Sequence, residues 1–109
     1  MPQTHKVLGQ VSPSAATLTS LYACPSGTQA VCSTLTICNT TATAMTYRVA
    51  VRPAGAAIST QHYIVSDSSV AAYDSVFLTL GISLAATDVV SVYASAAGAA
   101  FSLFGVEIA

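Results

Sequence analysis

The ten residues at positions 30–39, read as AVCSTLTICN, constrain the fold more than any other stretch of the chain. Val31, Leu35 and Ile37 lie at even spacing on one face, and the other positions are β-branched or small, which predicts a central β-strand. The opposite face carries cysteine and threonine, so neither face is strongly polar. A strand covered on both faces needs two layers of protein around it, and this stretch therefore predicts a β-sandwich.

The rest of the chain repeats this pattern of short strands separated by turn residues. The predicted strands are residues 6–10, 17–23, 30–39, 45–52, 61–66, 75–80, 89–94 and 101–108. Helical periodicity never extends beyond a turn or two, and strands at this spacing are typical of an all-β fold. We expect a single domain over residues 1–109, an antiparallel β-sandwich of about eight strands with jelly-roll or immunoglobulin-like topology, and a flexible N-terminal arm at residues 1–5.

The chain carries unusually few charges. Charged residues make up 6% of it, against about a quarter in an average soluble domain. No Asp, Glu, Lys, Arg or His occurs anywhere from Val7 to Tyr47. A large uncharged surface is typical of an interface, which favours a subunit of an assembly. The alternative is an extracellular domain whose exterior is coated with serine and threonine.

Charge and hydropathy also exclude several classes of function. Lys6, Arg48 and Arg52 are too few and too scattered to neutralise a nucleic-acid backbone. Residues 89–106 lack charge, but Ser, Gly and Ala interrupt them, so we predict two strands and a turn there and no membrane span. The N-terminus lacks the pattern of a secretory signal, and we expect the chain to be made in a cytoplasm.

The three cysteines do not form a metal-binding pattern. Cys24, Cys32 and Cys38 are not accompanied by a CxxC motif or paired histidines, so no metal is expected. Cys32 and Cys38 lie roughly 20 Å apart on one extended strand, beyond disulfide reach. Cys24 and Cys32 bracket the reversal at residues 25–27, and a hairpin centred near Thr28 would place them side by side. That pair is either a disulfide or two buried thiols.

No catalytic constellation is evident. His62 with Asp67 or Asp74 and a serine could form a triad on paper, but no serine lies in a Gly-x-Ser-x-Gly elbow. We predict no enzymatic activity and no cofactor. The sequon at Asn39 is better explained as a turn.

Two arginines on the predicted strand at residues 45–52 are candidate interface residues. Arg48 and Arg52 share one face of that strand, opposite the apolar face. We predict that they form ion pairs with acidic residues of a neighbouring subunit.

Nine segments spread over nearly the whole chain carry distinctive packing and turn patterns: 6–10 (KVLGQ), 17–19 (TLT), 21–22 (LY), 28–31 (TQAV), 38–39 (CN), 47–51 (YRVAV), 79–82 (TLGI), 87–90 (TDVV) and 104–107 (FGVE). Taken together, these segments resemble small structural proteins encoded by tailed bacteriophages. The sequence departs from that pattern at Cys24 and Cys32, where aliphatic residues are expected. Such a paired replacement is what a disulfide across a hairpin requires.

The resemblance implies a virion component assembled in the host cytoplasm. It implies a capsid cement or decoration protein, a homotrimer that contacts the major capsid protein, or else a tail or baseplate fibre or adaptor that contacts tail proteins. A glycan-binding module that attaches the particle to a host is a further alternative, in which Tyr63 and Tyr73 are the candidate aromatic residues.

Overall fold

The computed structural model describes residues 3–108, and over this range the chain is an all-β protein of eight strands. The strands are β1 (Gln3–Val11), β2 (Thr19–Ala23), β3 (Gln29–Asn39), β4 (Met45–Arg52), β5 (Tyr63–Val70), β6 (Ser75–Leu84), β7 (Val89–Ala94) and β8 (Ala99–Ile108). Two short 3₁₀ helices, Pro53–Gly55 and Thr60–His62, lie in the connection between β4 and β5. The predicted all-β sandwich of about eight strands is confirmed.

The strands form two four-stranded antiparallel sheets. Sheet A has the order β1-β8-β3-β6, and sheet B has the order β2-β7-β4-β5. Strands counted from the two ends of the chain pair in turn: β1 with β8, β2 with β7, β3 with β6 and β4 with β5. Such nested pairing is one long hairpin rolled into two sheets, and it is the topology of a jelly roll.

The core lies between the two sheets and is built from aliphatic and aromatic side chains of both. β3 is an interior strand of sheet A, with β8 on one side and β6 on the other. Its inner face carries Cys32, Leu35 and Ile37, all 0% exposed, whereas Val31 is half-buried on the outer face. A register shift between Cys32 and Thr34 explains this exchange. The extra residue of the bulge reverses the alternation, so the prediction that Val31 shares a face with Leu35 is wrong.

Several predicted boundaries need correction. The predicted arm at residues 1–5 is part of β1 from Gln3 onward, because Gln3, Thr4 and His5 pair with β8; residues 1–2 lie outside the described range. β5 begins at Tyr63, after a 3₁₀ helix, and continues to Val70. β6 continues through Gly81 to Leu84, since glycine at a φ of 72° accommodates a bulge that the sequence analysis took for the strand end.

The connection at residues 53–62 folds onto the outer side of sheet B. One of its 3₁₀ helices contacts β7 and the other contacts β4. Ala50 of β4 and Ser91 of β7 pair with each other at outward positions, yet both are 0% exposed. Sheet B is therefore covered on its inner face by sheet A and on part of its outer face by this connection.

Candidate interaction surfaces

The outer face of sheet A is a broad surface without formal charge. Register and burial place on it Gln3, His5, Val7, Gln10, Val31, Thr34, Thr36, Cys38, Ser75, Phe77, Thr79, Ser83, Ala100, Ser102, Phe104, Val106 and Ile108. Within the described range, this face has no Asp, Glu, Lys or Arg. Phe77 is 72% exposed and Val7 is 47% exposed. The structure thus locates the uncharged exterior that composition predicted.

Phe77 is the most exposed apolar side chain of this face, and the sequence analysis did not single it out. It lies on β6, an edge strand, and its neighbour across the sheet is Thr36. The alternation that directs Val76 and Leu78 toward the core also directs Phe77 outward. The alternation of residues 76–78 was therefore the sequence signal that could have identified Phe77 as an exposed residue.

The outer face of sheet B carries a compact charged cluster. The Arg48 guanidinium donates to the Asp67 carboxylate from Nε to Oδ1 at 2.7 Å and from Nη2 to Oδ2 at 3.2 Å. It also lies over the ring of Tyr93, 4.4 Å from the centroid, and 5.9 Å from the centroid of Tyr63. The hydrogen bonds from Arg48 lower the pKa of Asp67, and those to Asp67 raise the pKa of Arg48.

Arg52 fastens the covering connection to sheet B. Its Nε donates to Ser91 Oγ at 3.1 Å, and its Nη1 donates to the carbonyl oxygen of Ala56 at 3.2 Å. The backbone N–H of Ala54 donates to Asp88 Oδ1 at 2.9 Å. Both arginines were predicted to pair with acids of a neighbouring subunit. Their observed partners lie within the same chain, and for Arg48 that partner is a carboxylate.

A third polar cluster joins the two sheets at one corner of the sandwich. The Tyr22 hydroxyl donates to Glu107 Oε2 at 2.5 Å, and Lys6 Nζ lies 2.8 Å from Glu107 Oε1. Lys6 and Tyr22 lower the pKa of Glu107, while burial and the bond to Glu107 raise the pKa of Tyr22. The cluster connects β1, β2 and β8. Sequence reasoning missed it because Tyr22 and Glu107 are 85 positions apart.

The predicted hairpin centred near Thr28 does not form. β2 belongs to sheet B and β3 to sheet A, so Cys24 and Cys32 are not cross-strand neighbours. Cys24, Cys32 and Cys38 are free thiols in this structure. Cys24 Sγ instead donates to the carbonyl oxygen of Thr28 at 3.3 Å, and burial raises the pKa of Cys32 to about 11. Cys24 and Cys32 are thus buried and unbonded in this structure, and the disulfide between them stays a prediction.

The structure does not assemble a catalytic triad from His62, Asp67 or Asp74 and a serine. His62 Nδ1 accepts a hydrogen bond from the Ser59 backbone N–H, Asp67 pairs with Arg48, and Asp74 accepts the Ser75 backbone N–H. No group of His, Cys, Asp or Glu in residues 3–108 is arranged to hold a metal ion. None of the helices in that range is long and apolar enough to cross a membrane.

The two candidate glycan-binding tyrosines are far apart. Tyr63 begins β5, whereas Tyr73 follows the end of that strand, so the strand length separates them by roughly 25 Å. Tyr73 lies in the loop that also contacts Asn39. The buried amide of Asn39 donates to the carbonyl oxygens of Thr43 and Ala71, which agrees with a turn at that position.

The fold defines the chain as a jelly-roll β-sandwich. Among solved structures, a chain of "Structure of infectious bursal disease virus Gx strain" is similar to it, with a TM-score of 0.58 and 11% identity. The match covers 97% of this chain and 32% of that chain, so the present chain spans about a third of that chain's length. At this identity the likeness is one of fold. No protein-family model matches the sequence, and no curated protein does.

Proposed function

We propose that this protein is a non-enzymatic structural subunit of a virus particle, a capsid cement protein that binds the shell through the outer face of sheet A. The single observation that carries the proposal is the absence of formal charge on this face together with the exposure of Phe77 and Val7. Burying such a face removes apolar area from water and desolvates no ion. The likeness in fold to a chain from a virus structure supports the same role.

The size of the face suits a protein that binds in many copies. Four strands about 4.8 Å apart and roughly eight residues long give a face of roughly 500 Å². A stable interface takes about 800 Å² from each partner. One subunit therefore gains a modest affinity from this face, and a shell that offers a repeated array of sites compensates through multivalency.

The resemblance to structural proteins of tailed phages supports the same role. It is also compatible with a second location, the tail or baseplate of the particle. A tail or baseplate adaptor would use the same uncharged face in far fewer copies. Glycan binding has less support, because the Arg48 guanidinium lies over the ring of Tyr63 and because Tyr63 and Tyr73 do not form a shared platform.

Particle binding tests the proposal directly. Purified particles of the virus that encodes the chain would be analysed by quantitative mass spectrometry and then stripped and reloaded with recombinant protein. Hundreds of copies per particle are expected for a cement protein, whereas a few copies would shift the role to the tail. A chain absent from particles would overturn the virion assignment.

A pair of lysine variants assigns the binding to the proposed face. Thr36→Lys adds a charge at the centre of the outer face of sheet A and is expected to abolish reloading. Ser69→Lys adds the same charge to an exposed position of sheet B and serves as the control. Equal binding by both variants would contradict the assignment to sheet A.

A further inference from the structure

β6 differs from the other three edge strands of the sandwich in that its first half, residues 75–79, has no protection against pairing. β1 carries Lys6 and His5 near its free edge, β5 carries Asp67 at a bulge, and β2 has only five residues. β6 has ten residues, SVFLTLGISL, with no charge and no proline. Natural edge strands normally carry charge, proline or a bulge that blocks pairing with another chain.

The backbone hydrogen-bond pattern shows which groups of β6 are available at this edge. The Asn39 N–H donates to the carbonyl oxygen of Asp74 at 2.9 Å. Because hydrogen-bonded and non-hydrogen-bonded pairs alternate in an antiparallel ladder, the N–H and C=O groups of Val76 and Leu78 then face β3. Those of Ser75, Phe77 and Thr79 face the open edge. The Ser75 N–H is already bonded to Asp74 Oδ1 at 2.8 Å.

The segment that presents these groups is symmetric in its chemistry. Residues 75–79 read Ser-Val-Phe-Leu-Thr: a hydroxyl, an aliphatic, an aromatic, an aliphatic and a hydroxyl residue. We propose that two copies of this protein pair β6 with β6, antiparallel, about a two-fold axis at Phe77. In that register each residue lies opposite its chemical equivalent.

This register pairs the free backbone groups of β6 and also brings matching side chains into contact. The two Phe77 residues exchange N–H···O=C bonds, and each Thr79 N–H donates to the Ser75 carbonyl of the other copy. On the inner face, Val76 meets Leu78 and extends the core across the axis. Both are only partly buried in the single chain. On the outer face the two Phe77 rings become cross-strand neighbours, an arrangement that stabilises sheet pairs.

Charge and geometry favour a second copy as the occupant. Residues 75–79 carry no ion, so self-pairing brings no like charges together, and the whole chain has a net charge of only −1. The turn at Asp74 ends the segment on one side, and the bulge at Gly81 bends the strand away on the other. Pairing is therefore limited to one short, closed, two-fold contact and does not continue into a fibril.

The contact stands independently of any role in a particle, but it would serve the proposed one. Two sheets A joined at β6 form one sheet of eight strands. Its uncharged outer face measures roughly 1000 Å², above the roughly 800 Å² that a stable interface takes from each partner. This arrangement is a dimer and not the homotrimer that the family resemblance implies.

Mass measurement separates these assemblies. Light scattering of the purified chain from micromolar to millimolar concentration is expected to rise from 11.0 kDa toward twice that mass. Phe77→Lys places two like charges at the axis and is expected to stay monomeric, while Val7→Lys, on the same outer face at the opposite edge, is expected to dimerise like the wild type. A trimer, or a Phe77→Lys protein that still dimerises, would overturn the β6 pairing.

Disulfide trapping tests the register. Residues in a hydrogen-bonded antiparallel pair have Cα atoms roughly 5.5 Å apart, within disulfide range. Phe77→Cys is expected to form a covalent dimer under mild oxidation, and Val7→Cys is expected to remain monomeric. Dimer formation by both or by neither variant would contradict the two-fold axis at Phe77. Loss of particle binding without loss of the cross-link would count against the cement role alone.

Discussion

The outer faces of the two sheets differ in cover and in charge. Sheet B is covered by the connection at residues 53–62 and by the Arg48, Asp67, Tyr63 and Tyr93 side chains. Sheet A has neither a covering segment nor a charged side chain on its outer face within the described residues. Four of the chain's seven Asp, Glu, Lys and Arg residues (Arg48, Arg52, Asp67 and Asp88) therefore stabilise sheet B and its covering connection, while Lys6 and Glu107 pair at the corner between the sheets. The outer face of sheet A is left suited to contact with another protein surface.

The difference also explains how so few charges are used. Arg48 bonds to Asp67, Arg52 bonds to Ser91 and Ala56, and Asp88 binds both the Ala54 and Ala85 backbone N–H groups. These residues hold loops and faces in place. Because the chain has few charged side chains and most of them hold loops or pair with one another, none lies on the outer face of sheet A in the described residues. That face is therefore uncharged and suited to contact with another surface.

The largest expected effect comes from placing a charge at equivalent outward positions of the two sheets. Ala50→Lys forces an ammonium group beneath the covering connection, where Ala50 is 0% exposed, and is expected to lower the free energy of unfolding by about 2–4 kcal/mol. Thr36→Lys on sheet A is expected to change it by less than about 0.5 kcal/mol. Urea denaturation measures both values. Equal losses would show that the two faces do not differ in cover.

A smaller effect is expected from removing the residue that fastens the cover. Arg52→Met keeps the aliphatic stem but removes the donor to the buried Ser91 hydroxyl and to the Ala56 carbonyl. The free energy of unfolding is expected to fall by about 1–3 kcal/mol, and cleavage within residues 53–62 by a nonspecific protease is expected to accelerate. Arg52→Lys, which retains the charge and one donor nitrogen, is the matched comparison. Unchanged cleavage in Arg52→Met would mean that the connection is held by other contacts.

The smallest effect is expected at the exposed pair of Arg48 and Asp67, and it has a defined pH dependence. Hydrogen bonding lowers the pKa of Asp67, so the pair adds stability above the unfolded pKa of about 3.9 and loses it as pH falls through the lower folded value. The urea midpoint of Asp67→Asn is expected to lie slightly below wild type at pH 7 and to converge with it in acid. High salt is expected to reduce the difference. A pH-independent difference would indicate a packing effect.

The cluster of Tyr22, Glu107 and Lys6, which joins the two sheets, gives a second pH-dependent contribution to stability. The lowered pKa of Glu107 means that its contribution is likewise present above its unfolded pKa and lost in acid. Asp67→Asn and Glu107→Gln are far apart and share no partner, so their effects on the urea midpoint are expected to add. Non-additivity would show that the outer face of sheet B and the corner cluster are coupled through the core.

Prediction from sequence succeeded where the signal was local. Alternation, residue composition and turn residues together marked the eight strands, and the low charge count indicated an uncharged exterior. It failed where partners are distant: the ladder between β2 and β7 and the Tyr22–Glu107 bond join residues more than sixty positions apart, and no local pattern records them. Cys24 and Cys32 illustrate the same limit: they are close in sequence, but Cys24 follows β2 of sheet B and Cys32 lies in β3 of sheet A.

The sequence by itself determined the strands, because alternation of apolar and polar residues is a property of neighbouring positions. It also determined that some face of the domain would lack charge, because composition limits what any arrangement can place outside. Only the tertiary structure decided which face that is, through the bulge that turns Cys32 inward and the connection that covers sheet B. Both depend on contacts made after the sheets pack, where burial and hydrogen bonding outweigh local preference.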